Sequence, residues 1–153
     1  MMTKEELQYL RHSLAHLLAA AVLELYPDAK RTIGPAIDDG FYYDFAFSSP
    51  ISEEDLPKIE AKMRELMPSW TKFDRKEVTA DEARSMFSDN TYKIELINEF
   101  AGDGQTLTLY TSGTYCDLCR GGHADGIADL DPGCFSLSKL AGAYWRGDEK
   151  NDM

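Results

Sequence analysis

Nine consecutive residues, Tyr115-Cys116-Asp117-Leu118-Cys119-Arg120-Gly121-Gly122-His123, gather two thiols, a carboxylate, a guanidinium and an imidazole around a Gly-Gly pair. No other stretch is so dense in reactive groups. Towards the other end, His12 and His16 stand four residues apart in a segment with helical periodicity, so both rings project from one helix face. Cys116-x-x-Cys119 alone has three readings. A redox pair belongs at the start of a helix, and Arg120-Gly121-Gly122 opens a helix poorly. A structural zinc knuckle needs a second paired set of ligands, and no second Cys-x-x-Cys exists. The third reading joins Cys119 and His123, as C-x3-H, to His12 and His16. Three imidazoles and one thiol suit a zinc site, and equally a metal-free acid–base pocket in which imidazoles hold water.

The bulk composition narrows the setting. A chain of 153 residues with 43% hydrophobic side chains can build one core without staples, and a single domain over 1–153 is expected. With 16 basic against 27 acidic residues the net charge is -11, which excludes a protein that binds nucleic acid by spreading cations over phosphates. Any RNA contact is local or made by another part of a longer polypeptide. Three cysteines, no apolar signal segment and no long apolar run point to a cytoplasmic protein with reduced thiols and no membrane partner.

Thr3-Lys4-Glu5-Glu6 has capping-box form, and the apolar spacing after it predicts a long helix from about Thr3 to Tyr26, stopped by Pro27. Ala15, Ala19, Ala20 and Ala21 make it thin on one side, where another element can approach closely. Residues 32–47 read as a hairpin bending at Asp39-Gly40. Its aromatic run is mostly core, although Tyr43 can be buried and still offer a hydrogen bond. A helix capped near Ser52 runs to about Met67, a strand is expected over Trp70–Val78, and Thr79 opens a short helix. A further helix runs from Tyr92 to about Phe100. In it Lys93 reads by itself as a solvated charge lying along apolar surface. Thr106–Thr111 alternates as a half-buried strand, and Cys134–Leu140 and Ala143–Arg146 read as extended. Strands and helices without regular alternation give the α+β class, an antiparallel or mixed sheet packed with helices. The charged tail Asp148–Met153 has no closing cap, as in a chain cut from a longer one.

At this point a resemblance becomes specific. His12-Ser13-Leu14-Ala15-His16, together with Asp117-Leu118-Cys119-Arg120-Gly121-Gly122-His123, resembles the paired motifs of the editing-domain superfamily attached to threonyl- and alanyl-tRNA synthetases. Ile33-Gly34-Pro35, Gly40-Phe41-Tyr42-Tyr43-Asp44 and Ala141-Gly142-Ala143-Tyr144-Trp145-Arg146-Gly147-Asp148 are similar to the bacterial threonyl form. The similarity spans nearly the whole chain. It implies a domain that hydrolyses the ester of serine mischarged on the threonine tRNA. Its partners would be the serine-charged acceptor end and the remaining synthetase domains, which hold the aminoacylation activity. A pocket for threonine gains only about 1–3 kcal/mol from the methyl that serine lacks, so a second sieve is needed.

The resemblance further implies that His12, Lys93 and Asp117 act on water and the terminal ribose hydroxyl. It gives His16, Cys119 and His123 a substrate-binding role; Tyr43 and Arg120 are further substrate-binding candidates. Zinc, associated with His12, His16, Cys119 and His123 in the alanyl type, is not favoured as a cofactor here. The alternatives are a free-standing aminoacyl-tRNA deacylase and a zinc-binding alanyl-type module. One departure is Gly122, which stands where the family commonly has proline, and it implies a looser loop before His123.

Overall fold

The computed structural model describes residues 3–32, 36–37, 40–48, 51–104, 106–119, 123–128, 130, 133 and 135–137. Its axis is helix α1, Lys4–Leu25, which starts where Thr3 Oγ1 accepts from the Glu6 amide at 3.1 Å. From Ser13 to Leu17 every side chain is buried, so this turn of helix is enclosed on all sides. Ala15, Ala19 and Ala21 are fully buried small residues, and they permit the close approach that the sequence predicted. Helix α2, Leu56–Leu66, packs along α1 through the buried Ile59 and Met63. It is preceded by a 3-10 turn, Glu53–Asp55, fastened where the Ser52 amide donates to Asp55 Oδ2 at 2.8 Å.

Between α1 and α2 lie two short antiparallel ribbons. β1, Lys30–Arg31, pairs with β4, Phe45–Ala46, and β2, Ala36–Ile37, pairs with β3, Gly40–Phe41. Gly40 is a paired strand residue opposite Ile37, not the second residue of the bend expected at Asp39-Gly40, and Asp39 lies outside the described residues.

The other half is a three-stranded antiparallel sheet of β5 (Asp74–Val78), β6 (Leu107–Ser112) and β7 (Tyr115–Leu118), in that order, covered by α3 (Ala80–Met86) and α4 (Thr91–Gly102). The helix start expected at Thr79 is a capping box: its Oγ1 accepts from the Glu82 amide at 3.1 Å, and Glu82 Oε1 accepts from the Thr79 amide at 3.2 Å. Asn90 caps α4 through bonds from the Tyr92 and Lys93 amides at 3.1 and 3.2 Å, and its Nδ2 donates to the Arg31 carbonyl at 2.8 Å. A helix cap thereby ties Lys93 and Arg31 into one frame. The β6–β7 turn needs Gly113, whose φ is +58° and whose missing Cβ would come within 3.0 Å of Ser69 and Trp70.

The α+β class stands, with a long N-terminal helix and antiparallel sheets. Three elements differ from expectation. Trp70 is not in a strand: its indole is buried, and its carbonyl accepts from the Ile127 and Ala128 amides at 2.9 and 3.1 Å. Its bulk serves core packing, and the strand is confined to the charged Asp74–Val78. β6 buries Thr108 and Ser112 along with its leucines, so it is not half exposed. Among the described residues of the segment expected to be extended near the C-terminus, 135–137 form no strand. Their backbone bonds instead to α2 side chains, with Leu137 N donating to Glu60 Oε1 at 2.6 Å and Arg64 Nη2 donating to the Phe135 carbonyl at 3.1 Å. Residues 138–153 lie outside the described set.

Candidate functional site

Strand β7 does most of the sorting. Its residues alternate faces, so Tyr115 enters the main hydrophobic cluster with α1, while Cys116 and Leu118 turn to the smaller cluster of Ala83, Phe87, Ile97, Leu107 and Leu109. Cys119 continues the ladder just past the strand: its amide donates to the Thr108 carbonyl at 3.2 Å, and Thr108 Oγ1 donates to its carbonyl. An odd spacing on an extended chain points Cys116 and Cys119 to opposite faces. The Cys-x-x-Cys spacing is therefore neither a redox pair nor half of a knuckle. Asp117 is a β7 residue opposite Tyr110.

Asp117 is 1% exposed and carries an unusual set of partners. Tyr43 and Tyr115 hydroxyls donate to its Oδ2 at 2.6 and 2.8 Å, and the Leu118 amide donates to Oδ1 at 2.8 Å. Lys93 Nζ lies 3.0 Å from Oδ1 and Arg31 Nη1 3.5 Å from it. Burial by itself would raise the pKa of this carboxyl, but Lys93 and Arg31 overcome it and hold the group well below the usual carboxylate range. Lys93 is 3% exposed, so its reading as a solvated surface charge is overturned: Asp117 draws it inward. Burial lowers the Lys93 pKa, and Asp117 offsets part of that. Burial raises both phenols well above their ordinary value, so Tyr43 and Tyr115 remain protonated donors.

Beside this charged core sits the second group. His12 and His16 come from α1, one turn apart, with ring centroids at 4.9 Å. His123 stacks parallel to His12 at 4.1 Å and to Phe73 at 4.4 Å, and meets His16 edge-on at 4.4 Å. Cys119 Sγ is 3.3 Å from His123 Nε2. One potential ligand atom from each of His12, His16, Cys119 and His123 falls within 4.8 Å of the others. Burial lowers the His16 pKa to about 3, and burial with the neighbouring imidazoles lowers that of His123 to about 2, so both rings are neutral near pH 7.

Three imidazoles and a thiol are the donor types of a tetrahedral zinc site, and bonds of about 2.0–2.3 Å need only small ring movements from this spacing. Buried His16 Nδ1 has no hydrogen-bond partner, so something bound is needed to satisfy it. The residues fit a metal. They also fit ordered water beside neutral bases.

The structure thus brings together His12, His16, Lys93, Asp117, Cys119 and His123, with Tyr43 in direct contact with Asp117. Arg120, together with Gly121 and Gly122, lies outside the described residues. Two participants were not foreseen. Arg31 donates to the Cys116 carbonyl at 2.8 Å and lies over the Phe87 and Tyr115 rings, yet in sequence Lys30-Arg31 looks like ordinary surface charge. The other is Ser13, between the motif histidines, which no sequence signal singles out.

No family model matches the chain. Among curated proteins, a threonine–tRNA ligase of Borrelia duttonii (strain Ly) is 52% identical over 143 residues, covering 94% of this chain and 24% of that protein. One from Rubrobacter xylanophilus is 52% identical over 149 residues, covering 97% of the chain and 23% of its own length. One from Dehalococcoides mccartyi (strain ATCC BAA-2100) is 47% identical over 148 residues, with 97% and 25% covered. The chain spans about a quarter of the length of these relatives. Nearly the whole chain is thus homologous to one segment, about a quarter, of threonine–tRNA ligases.

Proposed function

We propose that this chain is a single editing domain that hydrolyses serine from mischarged threonine tRNA. The observation that carries the reading is the cluster of His12, His16, Cys119 and His123 set against the buried Asp117–Lys93 pair, in a chain aligned with threonine–tRNA ligases. An aminoacyl ester is already activated, so oriented water and one base suffice, without a covalent intermediate. His12 is the partly exposed imidazole of the α1 pair and is assigned to hold and deprotonate that water. Both Asp117 oxygens are occupied by donors, so its part is to fix the Lys93 ammonium near the reacting groups and the ribose hydroxyl. His16, Cys119 and His123 are assigned to shape the seryl pocket, which must exclude threonine's methyl. Tyr43 holds Asp117 in place.

The setting is cytoplasmic, and no described helix is long and apolar enough to cross a membrane. The partners are the serine-charged acceptor end and the remaining synthetase domains. With a net charge of -11 this chain binds tRNA weakly by itself, and most phosphate contacts belong to those domains. Submicromolar binding of tRNA by this chain at physiological salt would contradict that division.

The deciding experiment compares hydrolysis of seryl- and threonyl-tRNA by the chain, with His12→Ala as control. Seryl-tRNA is cleaved and threonyl-tRNA spared, and the variant loses activity. Equal cleavage of both, or full activity in His12→Ala, sinks the reading. The donor set favours a second reading, a zinc site at His12, His16, Cys119 and His123. Bound there, zinc would supply a Lewis-acidic centre and an acidified water. A full equivalent of zinc in protein purified without added metal or a His-tag would establish it in place of the metal-free route.

A further inference from the structure

Ser13 is fully buried within α1, between the two histidines of its motif, and its hydroxyl meets three partners at once. Oγ lies 3.0 Å from the Tyr9 carbonyl, 3.0 Å from the Ala124 amide nitrogen and 3.0 Å from His123 Nδ1. A hydroxyl has one hydrogen and two lone pairs. The carbonyl can only accept, so it takes the hydroxyl hydrogen, and the Ala124 amide can only donate, so it takes one lone pair. The remaining lone pair faces Nδ1, and this contact is a hydrogen bond only if Nδ1 carries the hydrogen. In the other tautomer Ser13 would have to turn its one hydrogen from the Tyr9 carbonyl to Nδ1 and give up the bond to that carbonyl.

We propose that Ser13 is a positioning residue that holds His123 as the Nδ1–H tautomer and so presents the Nε2 lone pair to Cys119 and the histidine cluster. The stacked rings of His12 and Phe73 fix the plane of the imidazole, but they do not decide which nitrogen bears the hydrogen. Ser13 does. The same hydroxyl also grips the backbone of the next residue through Ala124 N, so one atom of α1 sets both the place and the proton of His123. A ring nitrogen whose tautomer is fixed by a hydrogen bond at the other nitrogen is the arrangement that orients imidazoles both as bases and as ligands. The consequence for catalysis rests on the editing reading. The tautomer itself does not.

The chain has three histidines, so a long-range 1H–15N correlation at neutral pH displays every imidazole, and His123→Gln assigns the relevant one. His123 in the unaltered chain shows the Nδ1–H pattern. Ser13→Ala removes one oxygen and keeps a strong helix former, and the dispersion of its spectrum shows whether it is folded. In this variant His123 shifts to a mixture or to Nε2–H, and kcat for seryl-tRNA falls about 10- to 100-fold with little change in KM. An Nε2–H pattern in the unaltered chain, or an identical pattern in Ser13→Ala, overturns the proposal. An unchanged kcat in a variant whose tautomer has moved overturns the role in the reaction. If the unaltered chain hydrolyses no aminoacyl-tRNA, the editing reading fails while the spectrum still decides what Ser13 does.

Discussion

Around Asp117, two phenols, a backbone amide and two cations converge on two carboxylate oxygens, and the side chains involved are buried or nearly so. In the adjoining histidine cluster the rings of His16 and His123 are neutral, and His16 Nδ1 has no hydrogen-bond partner. The first region is electrostatically closed, and the second is completed only by something that binds. Low dielectric explains the division. A buried charge is tolerable when its partners are fixed around it, and a fixed network is a poor place to admit substrate. Neutral imidazoles can wait unpaired at lower cost. The charged region therefore holds the frame, and the imidazole region receives the ligand.

Removing the frame gives the largest effect. Asp117→Asn strands Lys93 and Arg31 as buried cations, and chemical denaturation is expected to show a loss of about 3–5 kcal/mol. A loss of activity with unchanged stability would mean that the charged region serves the reaction alone and does not hold the frame. His12→Ala should do the reverse, lowering seryl-tRNA deacylation about 100- to 10,000-fold while unfolding free energy changes by about 1 kcal/mol or less. If both quantities fall together, the two regions are not separable.

Acid titration tests the neutral rings. The folded pKa values of His16 and His123 lie below the unfolded 6.5, so between about 3 and 6.5 the unfolded chain binds more protons. Their contribution to stability is complete above pH 6.5 and is lost as pH falls towards 3. Below 3.8 the depressed carboxyl of Asp117 adds a loss in the same direction. Unfolding midpoints flat from pH 7 to pH 4 would show that these rings charge in the folded state. The smallest effect is expected at Cys116, which faces the α3–α4 cluster: Cys116→Ser leaves deacylation unchanged and alters stability by about 1 kcal/mol or less.

Much of the fold was legible because its signals are local. Thr3, Thr79 and Asn90 announce helix starts through side chains that bond amides two or three residues on, and these caps are present. Trp70 was misread because β propensity and core packing favour the same aromatic residue, and only burial distinguishes them. Lys93 was misread as a residue because nothing nearby in sequence shows a buried carboxylate. The family resemblance, not its local pattern, placed it in the site.

By itself, the sequence determined which residues could react and that His12 and His16 share a helix face, since a helix fixes i,i+4 neighbours wherever it lies. It also supplied the candidate partners Cys119 and His123. Tertiary structure decided the rest: that Cys116 and Cys119 face apart across β7, that Arg31 and Lys93 share one carboxylate, and that Ser13 meets His123 across 110 positions. These depend on strand register and on the docking of α1 and α4 against distant strands, where contacts are set by packing and charge burial and leave no periodic trace along the chain.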